Sequence, residues 1–184
     1  GVQNRIYLGE AQLAGGDVSA ARMTLEGVLA EARTRYGPSH ALTLRAGIAL
    51  AAVEIAAGHA DAARDRLRPV VEALRKIGAQ AQATLASALV ALGDASTALH
   101  DPASATADLR EAVQLRSAGW HENWELALAR ERLGEALASP GGAADATTEA
   151  RTLLRDAATV LRDQLGPNHP ETLRGRRTLA RLAA

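Results

Sequence analysis

A register of about 42 residues runs along this 184-residue chain and constrains its fold more than any other feature. A leucine followed by a small residue recurs at intervals of 42, 42 and 41 residues, at Leu8, Leu50, Leu92 and Leu133. The turn-like segment that starts at Gly16 returns at Gly58 and, in degenerate form, at His100. Repeats of this length indicate stacked copies of one supersecondary unit, none of which can bury its apolar face alone.

Each period is predicted to fold into two helices. Its apolar residues follow steps of three and four, as in the series Ala21, Leu25, Val28 and Ala32. Four glycines lie where a helix is expected to end, at Gly37, Gly78, Gly119 and Gly166. His40 and His169 follow two of these glycines at equivalent positions, which favours a helix-start role over a metal-ligand role. We therefore predict an all-α fold.

The composition agrees with helices and removes several classes of function. Alanine and leucine supply 43 and 26 of the 184 residues, whereas phenylalanine is absent, which disfavours an all-β fold. Twenty-one basic residues balance 21 acidic ones, so the net charge predicts no nucleic-acid partner. No apolar run approaches the ~18 residues of a membrane span, so no direct membrane insertion is expected. The chain lacks an initiator methionine and a signal-like segment, which predicts a piece of a longer protein.

The spacing of the small and large apolar residues resembles the tetratricopeptide repeat. The matching residues are Leu8, Gly9, Ala21, Leu25 and Val28; Leu50, Ala51, Ala63, Leu67 and Val70; Leu92, Gly93, Ala105, Leu109 and Ala112; and Leu133, Gly134, Ala150, Leu154 and Ala157. The long period and the junctions at 36–40 and 165–173 resemble the kinesin-light-chain type of this repeat. The resemblance implies a right-handed α-solenoid of about four helix pairs plus a C-terminal helix. It would form a single domain over 1–184, with repeats near 2–37, 38–78, 79–119 and 120–166 and a terminal helix at 168–183.

The resemblance also implies a noncatalytic module that binds a protein or peptide partner. Bacteria often carry this repeat type in signalling and regulatory proteins such as Ser/Thr protein kinases, so we expect a cytoplasmic parent protein of that kind. The alternative is a regulatory domain of a transcriptional or nucleotide-binding regulator that self-associates as a homodimer or senses its own chain.

In this family the first helix of each pair lines a concave groove, which assigns candidate binding residues by position. They are Gln3, Ile6, Glu10 and Leu13; Arg45, Ile48, Ala52 and Ile55; Ser87, Val90, Asp94 and Thr97; Leu128, Glu131 and Glu135; and Arg174, Arg177 and Arg181. The groove is expected to run from an aliphatic stripe, formed by Ile6, Ile48 and Val90, to an acidic and then a basic end. Packing of these side chains against neighbouring helices, or under a further segment of the parent protein, is the alternative.

No catalytic, metal or cofactor site is expected. The segment His121–Glu125 begins like the zinc motif HExxH but ends in glutamate where the second histidine must lie. The phosphate-binding motif of P-loop enzymes is absent, and the only lysine, Lys76, lies in a helical pattern. Absence of cysteine removes thiolate chemistry. The sequence thus predicts a chain that is not itself an enzyme.

Two groups of residues in the sequence each allow two interpretations. Trp120 and Trp124 are four residues apart, so they share a helix face that anchors a partner or fills a gap in the core. Arg174, Arg176, Arg177 and Arg181 on the last helix form either a polar cap or a basic docking patch.

Overall fold

A computed structural model describes residues 1–118, 123–139 and 144–183 of the chain. These residues form nine α-helices and one short 3-10 turn, Gly78–Ala81. The helices are α1 (Val2–Ala14), α2 (Val18–Tyr36), α3 (Ala41–Ala56), α4 (Ala60–Ile77), α5 (Gln82–Ala98), α6 (Pro102–Ser117), α7 (Trp124–Leu137), α8 (Ala144–Leu165) and α9 (Pro170–Ala183). The all-α prediction is confirmed.

The helices group into two compact units, Gly1–Leu99 and His100–Ala184. In the first unit, α1 packs against α2 and α3, and α3 packs against α4 and α5. In the second unit, α7 packs against α6, α8 and α9. Within the first unit, α1 therefore contacts α3 and α3 contacts α5, and α7 contacts α9 in the same way within the second unit.

The register places its small residues and leucines at the contacts between helices. Its second-helix positions are all buried, with no exposed area at Ala21, Ala63, Ala105 and Ala150 or at Leu25, Leu67, Leu109 and Leu154. Gly9 and Gly134 allow the closest approaches, because a Cβ at Gly9 would lie 2.5 Å from Leu25 Cγ and one at Gly134 would lie 2.7 Å from Leu154 Cγ. The residues that recur with the period are therefore the ones buried between helices in both units.

Leu8 departs from this pattern. Leu50, Leu92 and Leu133, at the same register position, are 3%, 8% and 3% exposed, whereas Leu8 is 51% exposed. The reason is that α1 packs only against α2 and α3, so this side chain has no helix across from it among the described residues.

The helix ends use local signals that the sequence carries. Asp17, Asp101 and Asn123 cap α2, α6 and α7 by accepting a backbone hydrogen bond at 2.9–3.1 Å. His40 Nδ1 accepts from the Leu42 amide and His169 Nδ1 from the Glu171 amide, so both histidines begin helices as predicted. Gly37, Gly78 and Gly166 have positive φ at the predicted helix ends, while Gly119 lies outside the described residues.

Candidate functional site

The first unit carries a stripe of partly exposed side chains along α1, α3 and α5, which we call the inner stripe. These three helices lie side by side, and α2 and α4 cover their other faces. The inner stripe consists of Gln3, Tyr7 and Glu10 on α1; Arg45, Ile48, Ala52 and Ile55 on α3; and Ser87, Asp94 and Thr97 on α5. Their spacing of three or four residues within a helix keeps them on one face.

The α3 part of the inner stripe is mainly aliphatic. Ile48, Ala52 and Ile55 are half-buried, and each lies three or four residues from the next. Neighbouring positions on α3, such as Ala51 and Val53, have no exposed area because they belong to the core. The structure therefore leaves these aliphatic side chains partly accessible to a partner.

Three of the predicted aliphatic residues are less exposed than expected. Ile6 has no exposed area and lies in the core cluster with Ala46 and Leu50 of α3, so its assignment to the groove surface is wrong. Leu13 is half-buried and packs against the same cluster. Val90 is 9% exposed and offers little surface. The position that looks outward on α1 is one residue further along, at Tyr7.

Tyr7, which the sequence patterns did not single out, forms a polar group with its neighbours. The Arg45 guanidinium lies 4.5 Å from the centre of the Tyr7 ring, a cation–π distance. Arg45 Nη1 and Gln3 Nε2 each donate to the Tyr7 hydroxyl at 3.3 Å. The Gln3 and Arg45 hydrogen bonds and the Arg45 charge lower the pKa of the Tyr7 hydroxyl. A polar spacing of four and three residues through Gln3, Tyr7 and Glu10 was the signal that could have identified it.

Glu10 lies at the edge of this group. Its carboxylate is 3.8 Å from the Arg45 guanidinium, a loose contact, and its side chain is 43% exposed. Partial burial raises the pKa of Glu10, while the positive charge of Arg45 opposes the rise. At this end, the inner stripe thus carries one tyrosine and one partly desolvated acid on α1, beside the Arg45 cation of α3.

On α5, two hydroxyl groups are used within the helix itself. Ser87 Oγ donates to the Ala83 carbonyl at 3.2 Å, and Thr97 Oγ1 donates to the Gly93 carbonyl at 2.9 Å. Asp94, which is half-buried, is the charged residue of this part of the stripe. The chemistry available on α5 is therefore weakly polar with one acid.

In the second unit, the charged residues that were predicted to end the groove bond one another. The Arg174 guanidinium on α9 bonds both oxygens of Glu135 on α7, with Nε at 2.9 and 3.1 Å. Thr178 Oγ1 donates to the same carboxylate at 2.9 Å. Arg132 on α7 bonds Glu171 on α9. Glu135 and Arg174 are thus engaged with each other across the contact between α7 and α9.

Glu131 lies inside that contact rather than on a binding surface. It has no exposed area, and neither carboxylate oxygen has a hydrogen-bond partner among the described residues. Burial raises the pKa of Glu131 to about 8, although the Arg132 charge opposes the rise. Its assignment to the groove surface is wrong because α9 covers it.

The remaining charged and aromatic candidates are exposed or lie outside the described part. Arg176, Arg177 and Arg181 are exposed on α9, and Leu128 is half-buried on α7. Trp124 is 42% exposed at the start of α7, so it does not act as a buried core filler. Trp120 and the His121–Glu122 part of the zinc-like segment lie outside the described residues.

Two other types of feature are absent from the part of the chain that the structure describes. Within 1–118, 123–139 and 144–183, there is no cluster of three or more histidine, aspartate or glutamate side chains arranged to hold a metal ion. In the same ranges, every helix is too short or too polar to span a lipid bilayer.

Comparisons with known proteins identify the fold. No family model and no curated protein matches the chain. The structure is similar to crystal structures of the nearly identical TPR-like repeats of a kinesin light chain-like protein from Podosopora anserina and of a substituted form of them, each with a TM-score of 0.73 and 22% identity over 98% of this chain and 84% of that one. It is also similar to the crystal structure of a Rap protein complexed with Competence and Sporulation Factor, with a TM-score of 0.65 and 14% identity over 99% of this chain and 64% of that one. The predicted fold class, a tetratricopeptide-type α-solenoid, is therefore confirmed.

Proposed function

We propose that the chain is a noncatalytic protein-interaction module that binds a peptide or a helix on the inner stripe. The observation that carries this proposal is the half-exposed row of Ile48, Ala52 and Ile55, which faces away from the core of its own unit. Exposed aliphatic rows bordered by polar groups are typical of protein-binding surfaces. Tyr7 and Arg45 border this row on α1 and α3, and their paired side chains provide a polar contact for a bound segment.

A solved neighbour supports a role in binding. The Rap protein to which this chain is similar was crystallised in a complex with Competence and Sporulation Factor. A scaffold of stacked helix pairs can therefore present a binding surface without supplying catalytic groups. We place the partner of this chain on the inner stripe because its aliphatic part is accessible, whereas Ile6 and Glu131 are not.

The test is to select peptides from a displayed random library against the 184-residue chain and to map a selected peptide by NMR shift changes. We expect the largest changes on α3, around Ile48 and Ile55. The double variant Ile48→Glu/Ile55→Glu should weaken binding at least about tenfold, because it places charge where an apolar side chain docks. Unchanged affinity would contradict the inner stripe as the site.

Met23→Glu is the matched control for that double variant. Met23 is 75% exposed on α2, so the substitution adds one of the two negative charges of the double variant at an exposed apolar residue outside the inner stripe. It should leave the affinity unchanged. Equal losses in Met23→Glu and in the double variant would show that net charge, rather than the inner stripe, governs binding.

Self-association is a second candidate function, favoured by Leu8. This side chain is 51% exposed at a register position that is buried in the other repeats. A second copy that covered Leu8 would complete the contact that Leu50 makes with the first helix pair. Sedimentation of the chain over a range of concentrations tests this: a dimer that Leu8→Glu dissociates supports it, and a monomer throughout contradicts it.

We further propose that the module, folded as a single domain over 1–184, serves a larger bacterial signalling or regulatory protein in the cytoplasm, such as a Ser/Thr protein kinase. The resemblance of the junctions at 36–40 and 165–173 to the kinesin-light-chain type of repeat supports this context. Sequencing the complete open reading frame tests it, since a kinase or regulator domain on the same chain is expected. A reading frame without any such domain would contradict it.

A further inference from the structure

The surface that α9 presents to α7 and α8 is small and polar. Its buried residues are Thr172, which has no exposed area, Gly175, and Thr178, which is 3% exposed. Leu179 and Leu182 add apolar contact, but both are only half-buried. By contrast, α1 contributes the fully buried Ile6 and the nearly buried Val2 to its own contacts. Little apolar area therefore holds α9 in place.

Ion pairs and one hydroxyl supply most of the specific contacts between α7 and α9. Arg132 bonds Glu171, Arg174 bonds Glu135, and Thr178 adds a hydrogen bond to Glu135. Arg132 is 5% exposed and Glu135 is 10% exposed, so these groups lie mostly out of water. Their mutual bonds exist only while α9 is docked.

Glu131 introduces a third carboxylate into this contact. It has no exposed area, and both of its oxygens lack hydrogen-bond partners among the described residues. Gly175 of α9 faces it so closely that a Cβ there would lie 3.1 Å from Glu131 Oε1. The Thr172 hydroxyl of α9 is likewise buried without a partner in the described part of the chain. Docking of α9 is therefore what removes the Glu131 carboxyl group from water.

The charges around Glu131 do not balance if it is ionised. On its own helix it faces Arg132 and Glu135, and from α9 it faces Glu171 and Arg174. Both guanidinium groups are already bonded to other carboxylates, and the nearest approach of Arg132 to Glu131 is 3.4 Å. Helices α6 and α8 also pack on α7, and the largest electrostatic effects on Glu131 come from these four residues of α7 and α9. Three carboxylates thus share two cations, which favours the protonated acid at Glu131.

We propose that α9 is a proton-controlled latch, which stays docked on α7 while Glu131 carries its proton and is released when Glu131 ionises. Release returns the Glu131 carboxylate to water and separates Glu135 from Arg174 and Arg132 from Glu171. The regulated event is local opening of the last helix, while α7 and α8 remain packed against each other.

The direction of the pH dependence follows from linkage. Burial raises the pKa of Glu131 to about 8 in the docked state, and in the released state the group returns to its ordinary value of 4.5. The docked state therefore binds the proton more tightly, so rising pH favours release. The equilibrium constant for release should rise about tenfold per pH unit between these two pKa values and should level off above about pH 8.

The test is amide hydrogen exchange of α9, measured by NMR on the complete chain from about pH 5 to about pH 9 and compared with the Glu131→Gln variant at each pH. The intrinsic exchange rate is common to both proteins, so their ratio reports release alone. We expect the two proteins to show equal protection near pH 5. At higher pH, protection of the Gly175 and Thr178 amides should fall about tenfold per unit only in the protein that retains Glu131.

Two controls separate the latch from general unfolding. Protection in α8 should stay unchanged in both proteins, and Glu10→Gln should leave α9 unaffected, although Glu10 is also a partly desolvated carboxylate. Equal pH profiles in Glu131→Gln and the unmodified chain would overturn the proposal.

A second measurement needs no variant. The carboxyl carbon shift of Glu131 should titrate above the ordinary value of 4.5, and protection of α9 should fall over the same pH range. Titration at the ordinary value with α9 still protected would also overturn the latch, whatever the folding of Glu131→Gln.

Discussion

The contact between α1 and α3 and the contact between α7 and α9 occupy the same place in the repeat but have opposite chemistry. Ile6 lies two residues before Leu8, and Glu131 lies two residues before Leu133, so the two side chains are equivalent in the register. Both have no exposed area. Ile6 packs within a core cluster that includes Ala46, whereas Glu131 lies against Gly175.

The repeat fold buries this position in both units. The residue at the position determines whether the stability of the contact depends on pH. An aliphatic side chain at this place stabilises the contact at every pH, because its burial involves no charge. A carboxyl group makes the stability of the contact depend on its protonation. Substitutions that exchange the two chemistries are therefore the most informative tests.

The largest effect is expected for Ile6→Glu. It places a carboxyl group in the apolar cluster of the first unit, where no arginine equivalent to Arg132 is present, and should lower the free energy of unfolding of that unit by about 4 kcal/mol. Urea unfolding followed by circular dichroism measures it. Leu8→Glu is the control at concentrations where the chain is monomeric, because Leu8 is two residues away and 51% exposed, so its cost should stay within about 0.5 kcal/mol. Equal costs at the two positions would refute the assigned burial.

The reverse exchange, Glu131→Ile, should stabilise the second unit by about 2 kcal/mol near pH 8. Native Glu131 has a raised pKa, so its contribution to stability falls as pH rises from 4.5 towards about 8. The gain from isoleucine should accordingly be smaller near pH 5. Urea unfolding at both pH values measures the difference.

Glu135→Ile should change the stability of the second unit in the opposite direction, although it lies at the same contact. It leaves Arg174 and Thr178 without their shared carboxylate, so it should destabilise the second unit at either pH. If Glu131→Ile also destabilised the second unit near pH 8, the claim that the buried Glu131 carboxyl group destabilises this contact would be wrong.

Smaller effects are expected at the glycines that allow close helix packing in both units. Gly134→Ala should cost about 2 kcal/mol, because its Cβ would meet the backbone carbonyl of Ala150 at 3.2 Å as well as the Leu154 side chain. Gly9→Ala should cost about as much, ~2 kcal/mol, because its Cβ would lie 2.5 Å from Cγ of the fully buried Leu25. Thermal unfolding compares them.

Gly27→Ala is the control for both glycine substitutions. The atom nearest to a Cβ there is Arg5 Nη2, at 3.3 Å on a flexible side chain. Alanine is the better helix former, so this variant should be neutral or stabilising by up to about 1 kcal/mol. A Gly134→Ala variant as stable as Gly27→Ala would contradict the close packing between α7 and α8.

The smallest effects are expected at the exposed ion pairs. Arg5 bonds Glu31 in the first unit and Arg110 bonds Glu149 in the second, with side chains that are 40–54% exposed. Arg5→Ala and Arg110→Ala should each cost less than about 0.5 kcal/mol, and less still in high salt. Thermal unfolding at two salt concentrations measures both, and a cost above about 1 kcal/mol at either site would contradict the solvent screening assumed here.

The sequence was sufficient for most of the fold because one period repeats along it. Ala21, Leu25, Ala150 and Leu154 were all placed at helix contacts from spacing alone, and all are fully buried. Spacing constrains them strongly since a small residue and a leucine are needed at every turn of the repeat. The sequence also predicted the register position of Leu8. It did not predict the exposure of that side chain, because exposure depends on which helix lies opposite.

The candidate site was harder to predict, for two physical reasons. On α1 an error of one residue exchanges Ile6 for Tyr7, and the two lie about 100° apart on the helix. On α7 a run of acids suggested an exposed groove, yet Glu135 bonds Arg174, which is 39 residues away in the sequence. The period of the repeat makes α7 and α9 neighbours, but it does not predict which of their side chains bond each other.

The two compact units also differ in their aromatic residues, which gives the chain built-in spectroscopic labels. Tyr7 and Tyr36 lie in Gly1–Leu99, and both tryptophans, at 120 and 124, lie in His100–Ala184. Tyrosine emission therefore reports the first unit and selectively excited tryptophan emission the second, with no dye attached. If their unfolding midpoints differ, the chain melts in two cooperative steps, and a single free energy of unfolding does not describe it.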